Sequence, residues 1–145
     1  MAVNARLENP APLDYTTPSF PSLYWPYKAE PGEAQYLYFA YDIWRYTLLW
    51  TVLLFAFFHL IVAAWAVIMQ IGKTKHAWKY VWIIPLFYGL LSGIEAVLAG
   101  SITGLILGAV YNAGYFKMST WIPFVWALIN VLIVILSSFS IQGGL

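Results

Sequence analysis

Three apolar stretches, Ile43–Ile71, Tyr80–Phe116 and Ser119–Ile141, occupy most of this 145-residue chain. A bilayer core of about 30 Å is crossed by about 20 helical residues, and each stretch meets that length. In hydrocarbon every backbone N–H and C=O must be satisfied inside the segment, so long apolar stretches become helices. The sequence therefore predicts an all-α membrane protein with three transmembrane helices, at about 43–71, 80–111 and 120–141. Three crossings place the termini on opposite sides of the membrane. With 62% hydrophobic and 9% charged residues, the chain has too little charge for a soluble domain of this length. A net charge of +1 leaves no basic footprint for nucleic acid. The absence of cysteine excludes disulfides, thiolate metal sites, thiol catalysis, palmitoylation and prenylation.

Residues 1–42 read differently, as a Pro/aromatic-rich N-terminal strap preceding a transmembrane domain of residues 43–145. Six of the eight prolines lie in it, at positions 10, 12, 18, 21, 26 and 31, and they forbid a long helix before Pro31. Phe20, Tyr24, Trp25, Tyr27, Tyr36, Tyr38, Phe39 and Tyr41 crowd its second half. Such rings favour the membrane interface, where the ring is buried and the polar tip stays wet. Residues 19–42 are expected to lie as an extended strap on the membrane or on a partner, turning helical from about Glu33. Arg6, Glu8 and Asp14 stand where a signal peptide would need an apolar run, so targeting falls to the first span.

The second stretch is too long for one simple crossing, roughly 55 Å as a helix, and too short for two plus a turn. It reads as one long helix, tilted or bent, with Pro85 or the Gly89/Gly93 pair as the source of a bend and Asn112-Ala113-Gly114 as its end. Lys73, Lys75 and Lys79 favour a cytosolic first loop and hence a lumenal N-terminus, against nearly balancing cations at Lys28, Arg45 and Lys117.

Each span carries one strongly polar residue near its middle: His59, Glu95 and Asn130. An ionised carboxylate at that depth costs about 2.5–3.5 kcal/mol or more, so Glu95 must protonate, pair or face water. Ser92 lies on its side of the helix. One geometry unites His59, Glu95 and Asn130 as a hydrogen-bonded cluster, with Ser92 beside it. The bland reading is a lock that fixes helix register. The functional reading is a polar groove that eases passage of a lipid head group, a proton or an ion. Gly100, Gly104 and Gly108 form a double GxxxG, extended by Ala96, and Gly89 and Gly93 repeat the spacing on nearly the same face. These five glycines are expected to pack helices closely. The partner is either the chain's own first or third helix or a second copy in a homo-oligomer. By helical phase Glu95 lies about 140° from Gly100, off the glycine face. No metal site is expected from two histidines and one glutamate at scattered depths, and no cofactor is implied. Ser137, Ser138 and Ser140 have no adjacent base.

Trp44, Leu49-Trp50, Phe57-Phe58-His59, Val110-Tyr111, Met118 and Ile122-Pro123-Phe124, in that order and spacing, resemble the transmembrane protein 170 family of small three-span proteins. Leu107–Phe116 and Met118–Pro123 are similar to its fungal members. The resemblance covers about residues 40–145. It implies an endoplasmic reticulum protein that is not an enzyme. It also implies shaping of reticulum sheets and the nuclear envelope, and lipid scrambling beside a bridge-like lipid transfer protein at membrane contact sites. His59 falls within the matching stretches; Glu95 falls outside them. Three hypotheses follow. The first is a lipid-handling subunit acting on membrane lipids, the second a structural protein without transport activity, and the third a channel. The scarcity of charge argues against a selective ion pore.

Overall fold

A computed structural model describes residues 10–25, 34–71 and 80–142. Its order is β1 (Tyr36–Leu37), α1 (Ala40–Gln70), α2 (Ile83–Ala113), β2 (Met118–Ser119) and α3 (Trp121–Gln142). All three helices are long and apolar enough to cross a membrane. Among the described residues the fold is all-α apart from one two-residue antiparallel pair. At 31 residues each, α1 and α2 reach about 46 Å. Pro85 and Pro123 each stand third in their helix. There the ring removes an N–H that has no partner within the helix.

The end of α2 departs from the usual chemistry. The Phe116 N–H reaches the Tyr111 carbonyl (3.1 Å) and the Tyr115 N–H reaches that of Asn112 (3.3 Å), the bond pair of a Schellman stop. The left-handed position falls on Tyr115 (φ 56°), while Gly114 is right-handed (φ −85°). Gly114 instead lies under the exposed Phe116 ring. A Cβ there would stand 2.6 Å from the Phe116 ring.

Small residues set the α1–α2 contact. Ser92, Ala96, Gly100, Gly104 and Gly108 are all buried and lie four apart, on one ridge of α2. Gly108 sits against Ala40, Gly104 against Trp44 and Gly100 against Leu48 and Thr51, so α1 and α2 run antiparallel. A Cβ on Gly104 would lie 3.0 Å from Trp44 Cα and 3.1 Å from its carbonyl oxygen, so backbone meets backbone. Gly89 and Gly93 do not join this contact, with no heavy atom within 4 Å of either Cβ position. The phase that places them near Gly100 is a projection down the axis. The contact instead follows the i+4 ridge, which winds about 40° per step and reaches Ser92 by way of Ala96.

α1 is the middle element, in broad contact with α2 and less with α3, while α2 and α3 barely touch. One apolar cluster joins Leu37, Ile43, Tyr46, Leu107 and Met118, and a second joins Phe55, Ala96 and Val131. Burial then fades. Beyond Phe55 only Ala63 of α1 is buried, and before Ser92 no described residue of α2 is. The half of the bundle nearer the α1–α2 connection is loosely packed.

The opposite end carries a headpiece. The described residues of the strap pack on the chain's own helices. Tyr46 Oη donates to the Pro18 carbonyl, Thr120 Oγ1 to Ser22 O (2.7 Å) and Trp121 Nε1 to Tyr24 O (2.9 Å). Phe20 lies between the Tyr46 and Trp50 rings. The expected helix from Glu33 is replaced by β1, whose Tyr36 and Leu37 pair with Ser119 and Met118. Half-buried Tyr15 fixes the corner, donating to Tyr36 O (3.1 Å) and accepting from the Tyr38 N–H (3.2 Å). Burial pushes its hydroxyl above the usual tyrosine range. Asp42, in the first turn of α1 where the helix dipole favours an anion, accepts from Thr17 Oγ1 at 2.8 Å.

Candidate functional site

His59 and Glu95 meet across the α1–α2 contact, one turn past the last buried aromatic, Phe55. His59 Nε2 lies 3.3 Å from Glu95 Oε2. Phase measured from Gly100 sets Glu95 off the glycine face. Along the winding ridge, however, Glu95 flanks Ser92 and Ala96, and that brings it to α1. Counting along α1, the pair stands about 28 Å from Ala40 and about 16 Å from Gln70. It therefore lies inside the apolar layer, displaced toward the loosely packed half.

Hydrogen bonding restricts the chemistry of the pair. His59 Nδ1 is 2.9 Å from the Phe55 carbonyl oxygen. A carbonyl only accepts, so Nδ1 carries a proton. Nε2 of a neutral ring is then an acceptor, and it faces a carboxylate oxygen, also an acceptor. The contact needs one proton between them. Neutral imidazole with carboxylic acid and imidazolium with carboxylate both satisfy it, and both are neutral overall. That neutrality is how a carboxyl group is tolerated at this depth. The His59 side chain is 19% exposed and that of Glu95 43%. Yet Oε2 itself is buried and lacks a well-aligned hydrogen bond. The exposure of Glu95 therefore belongs to the rest of its carboxyl group and stem.

Asn130 does not join the pair. Its Oδ1 accepts from Thr103 Oγ1 at 3.2 Å. Thr103 is eight residues beyond Glu95, about 12 Å along α2. The expected single cluster is thus two separate polar contacts, His59–Glu95 between α1 and α2 and Thr103–Asn130 between α2 and α3. Ser92 is buried on the ridge beside Glu95. Thr103 was missed because a threonine in an apolar helix usually bonds its own turn, as Thr47 and Thr51 do with Ile43 O and Thr47 O. Its signal was its place one residue before Gly104. Two buried donors, Asn130 Nδ2 and Trp50 Nε1, have no acceptor. Gly89 and Gly93 open onto a shallow apolar groove with Leu90, Ile94, Val97 and Leu98. Among the described residues no three His, Cys, Asp or Glu side chains are grouped to hold a metal. Ser137 donates to its own helix at Val134 O (2.8 Å).

A family model described as Transmembrane protein 170A/B-like matches residues 36–145. An uncharacterized protein of Saccharomyces cerevisiae is 33% identical over 136 residues, 94% of each chain. That second match extends over most of the strap, which the family model leaves out. No solved structure matches.

Proposed function

This chain belongs to the transmembrane protein 170A/B-like family, and from that premise we propose that it is a non-enzymatic, multi-pass protein of the endoplasmic reticulum membrane that eases phospholipid movement between leaflets. Its proposed setting is beside a bridge-like lipid transfer protein. Such a protein adds lipid to one leaflet or takes it from one, and scrambling relieves the resulting imbalance. The barrier to that movement is the transfer of a polar head group through hydrocarbon. The observation that carries the reading is the His59–Glu95 pair, a partly exposed polar contact at 3.3 Å within the apolar layer. It lies where the close packing of α1 on α2 ends, so lipid on the open side has a polar surface to follow.

The test is scrambling by the purified protein in liposomes, read as dithionite bleaching of an acyl-labelled fluorescent phosphatidylcholine. Wild type is expected to expose inner-leaflet lipid. Glu95→Gln should keep this activity, because an amide still hydrogen-bonds to His59. Glu95→Leu should slow it several-fold while helix content and insertion persist. Wild-type rates equal to those of empty vesicles would sink the reading. So would full activity in both Glu95→Leu and His59→Leu.

One observation favours a second reading, membrane shaping without transport. Among the described residues, the strap and the β1–β2 pair add a headpiece at the end away from the α1–α2 connection. A body of that shape favours curvature. It predicts that vesicles change shape at high protein density whether or not Glu95 is intact.

A further inference from the structure

We propose that the His59–Glu95 pair is a binding site for lipid head groups that carry an ammonium with at least one N–H, which deepens the lipid-handling reading by naming the lipid class. Nδ1 of His59 is committed to the Phe55 carbonyl (2.9 Å), so Nε2 and Glu95 Oε2, 3.3 Å apart, are two acceptors that need one donor. Within the protein that donor is a shared proton. Oε2 is buried, so a donor from outside meets the carboxyl group through the part of the Glu95 side chain that is exposed (43%), its other oxygen, Oε1, beside Nε2. On the α1–α2 connection side of the pair, Ala63 and Ser92 are the buried residues among those described, so the described helices leave the lipid side of that half open.

The chemistry of the surroundings selects the ligand. Between Tyr46 and Ile71 and between Tyr80 and Phe116, His59 and Glu95 are the only Asp, Glu, Lys, Arg or His residues, and 118–145 has none. Among the described residues of the spans no lysine or arginine stands beside the pair to hold a phosphate. An ammonium group, in contrast, finds a carboxylate and an imidazole nitrogen that both accept. Its N–H groups take the place of the shared proton, which leaves to water. The carboxylate then balances the ammonium, and His59 stays neutral. A choline head group is equally cationic but has no N–H to give. A serine head group brings a second carboxylate toward Glu95 and is disfavoured against ethanolamine.

The experiment measures lipid retained on the wild-type protein by native mass spectrometry, from micelles containing matched phosphatidylethanolamine, its N-methyl and N,N-dimethyl forms, and phosphatidylcholine. Phosphatidylserine and phosphatidylglycerol serve as charge controls. The first three keep at least one N–H. Retention should hold through the dimethyl lipid and fall about tenfold at choline, the scale of a charge-assisted hydrogen bond. In Glu95→Gln the amide donates to Nε2 and satisfies the pair internally, so the step at choline should vanish. A flat series would overturn the proposal. So would an even decline with each methyl, retention that follows negative charge, or a step that survives in Glu95→Gln. The methylation series needs no variant, so a poorly folding mutant cannot leave the question open. Scrambling measured on the same preparation separates the two ideas. A step without scrambling removes the proposed function and keeps the site, and scrambling without a step does the reverse.

Discussion

Replacing Gly104 by leucine tests the helix contact on which everything else rests. Even the first added carbon would sit 3.0 Å from Trp44 Cα and 3.1 Å from its carbonyl oxygen. These are backbone atoms that cannot turn aside, so α1 must move. A gap of 0.5–1 Å already forfeits roughly a quarter to a half of each atom-pair attraction along the ridge. Little hydrophobic drive opposes separation in lipid, because acyl chains solvate the exposed faces as well. Overpacking of this kind costs about 1–3 kcal/mol, and a leucine against backbone belongs at or above the upper end. Leaving glycine in a helix returns about 1 kcal/mol, so the net loss is about 2 kcal/mol or more. Gly93→Leu is the matched control. It gains the same propensity and meets nothing of this chain within 4 Å. Its expected effect on the monomer is neutral to stabilising by up to about 1 kcal/mol. Titration of both variants with SDS in mixed micelles, followed by circular dichroism and tryptophan emission, reads the difference. Equal midpoints would refute the close contact. A change of oligomer size confined to Gly93→Leu would show that the open groove meets a second copy.

Three further outcomes are expected. Thr103→Val strands the Asn130 amide and should cost about 1–3 kcal/mol, whereas Thr103→Val with Asn130→Leu should recover most of it; additive losses in the same titration would contradict the pairing. Tyr15 is pushed above its usual 10.0 by burial, so the docked strap favours the neutral hydroxyl. Its contribution is full below about pH 10 and is lost as pH rises through the higher docked value. Proteolysis within residues 10–25 should therefore increase in alkali in wild type and less so in Tyr15→Phe; identical profiles would remove Tyr15 from the latch. Tags at residues 1 and 145 should differ in protease protection in sealed microsomes, and equal protection would contradict an odd number of crossings.

The helices were legible because apolar length in a membrane protein admits few alternatives. Their ends moved by three residues or fewer, from 43–71, 80–111 and 120–141 to 40–70, 83–113 and 121–142. The spacing of Gly100, Gly104 and Gly108 was legible as a packing ridge. Which neighbour it meets was not, since spacing alone fits α1, α3 or a second copy. Gly89 and Gly93 misled because angular phase ignores the tilt of the ridge. The headpiece was invisible for a different reason. Its bonds run from Ser22 to Thr120 and from Tyr24 to Trp121, separations of 98 and 97 residues with no local pattern. Of the strap's aromatic rings Tyr38 is buried, while Trp25 and Tyr41 stay exposed, and nothing local in the sequence told the two groups apart. Glu95 was found by its cost alone. Its pairing with His59 was one geometry the sequence allowed, from their comparable depth in successive spans, whereas Asn130, expected in the same cluster, bonds Thr103 instead.

The glycine ridge and the polar pair are one device. Gly100, Gly104 and Gly108 let the α1 backbone approach α2 directly, and Ala96 keeps the helices close as far as Phe55. His59 is one turn further on, and at that separation its ring spans to Glu95 while Nδ1 still reaches back to its own helix. Residues as large as leucine on the ridge would hold the helices apart and place Nε2 beyond hydrogen-bond reach of the carboxyl group. Each half of the proton-sharing contact would then stand alone in hydrocarbon, at several kcal/mol. The packed half thus makes the polar pair affordable, and the loss of packing just beyond it leaves the pair half-open. Deeper in the contact Thr47 and Thr51 are fully buried and bonded to their own helix, whereas the pair sits at the edge of the packed half, the position that the lipid-handling proposal requires.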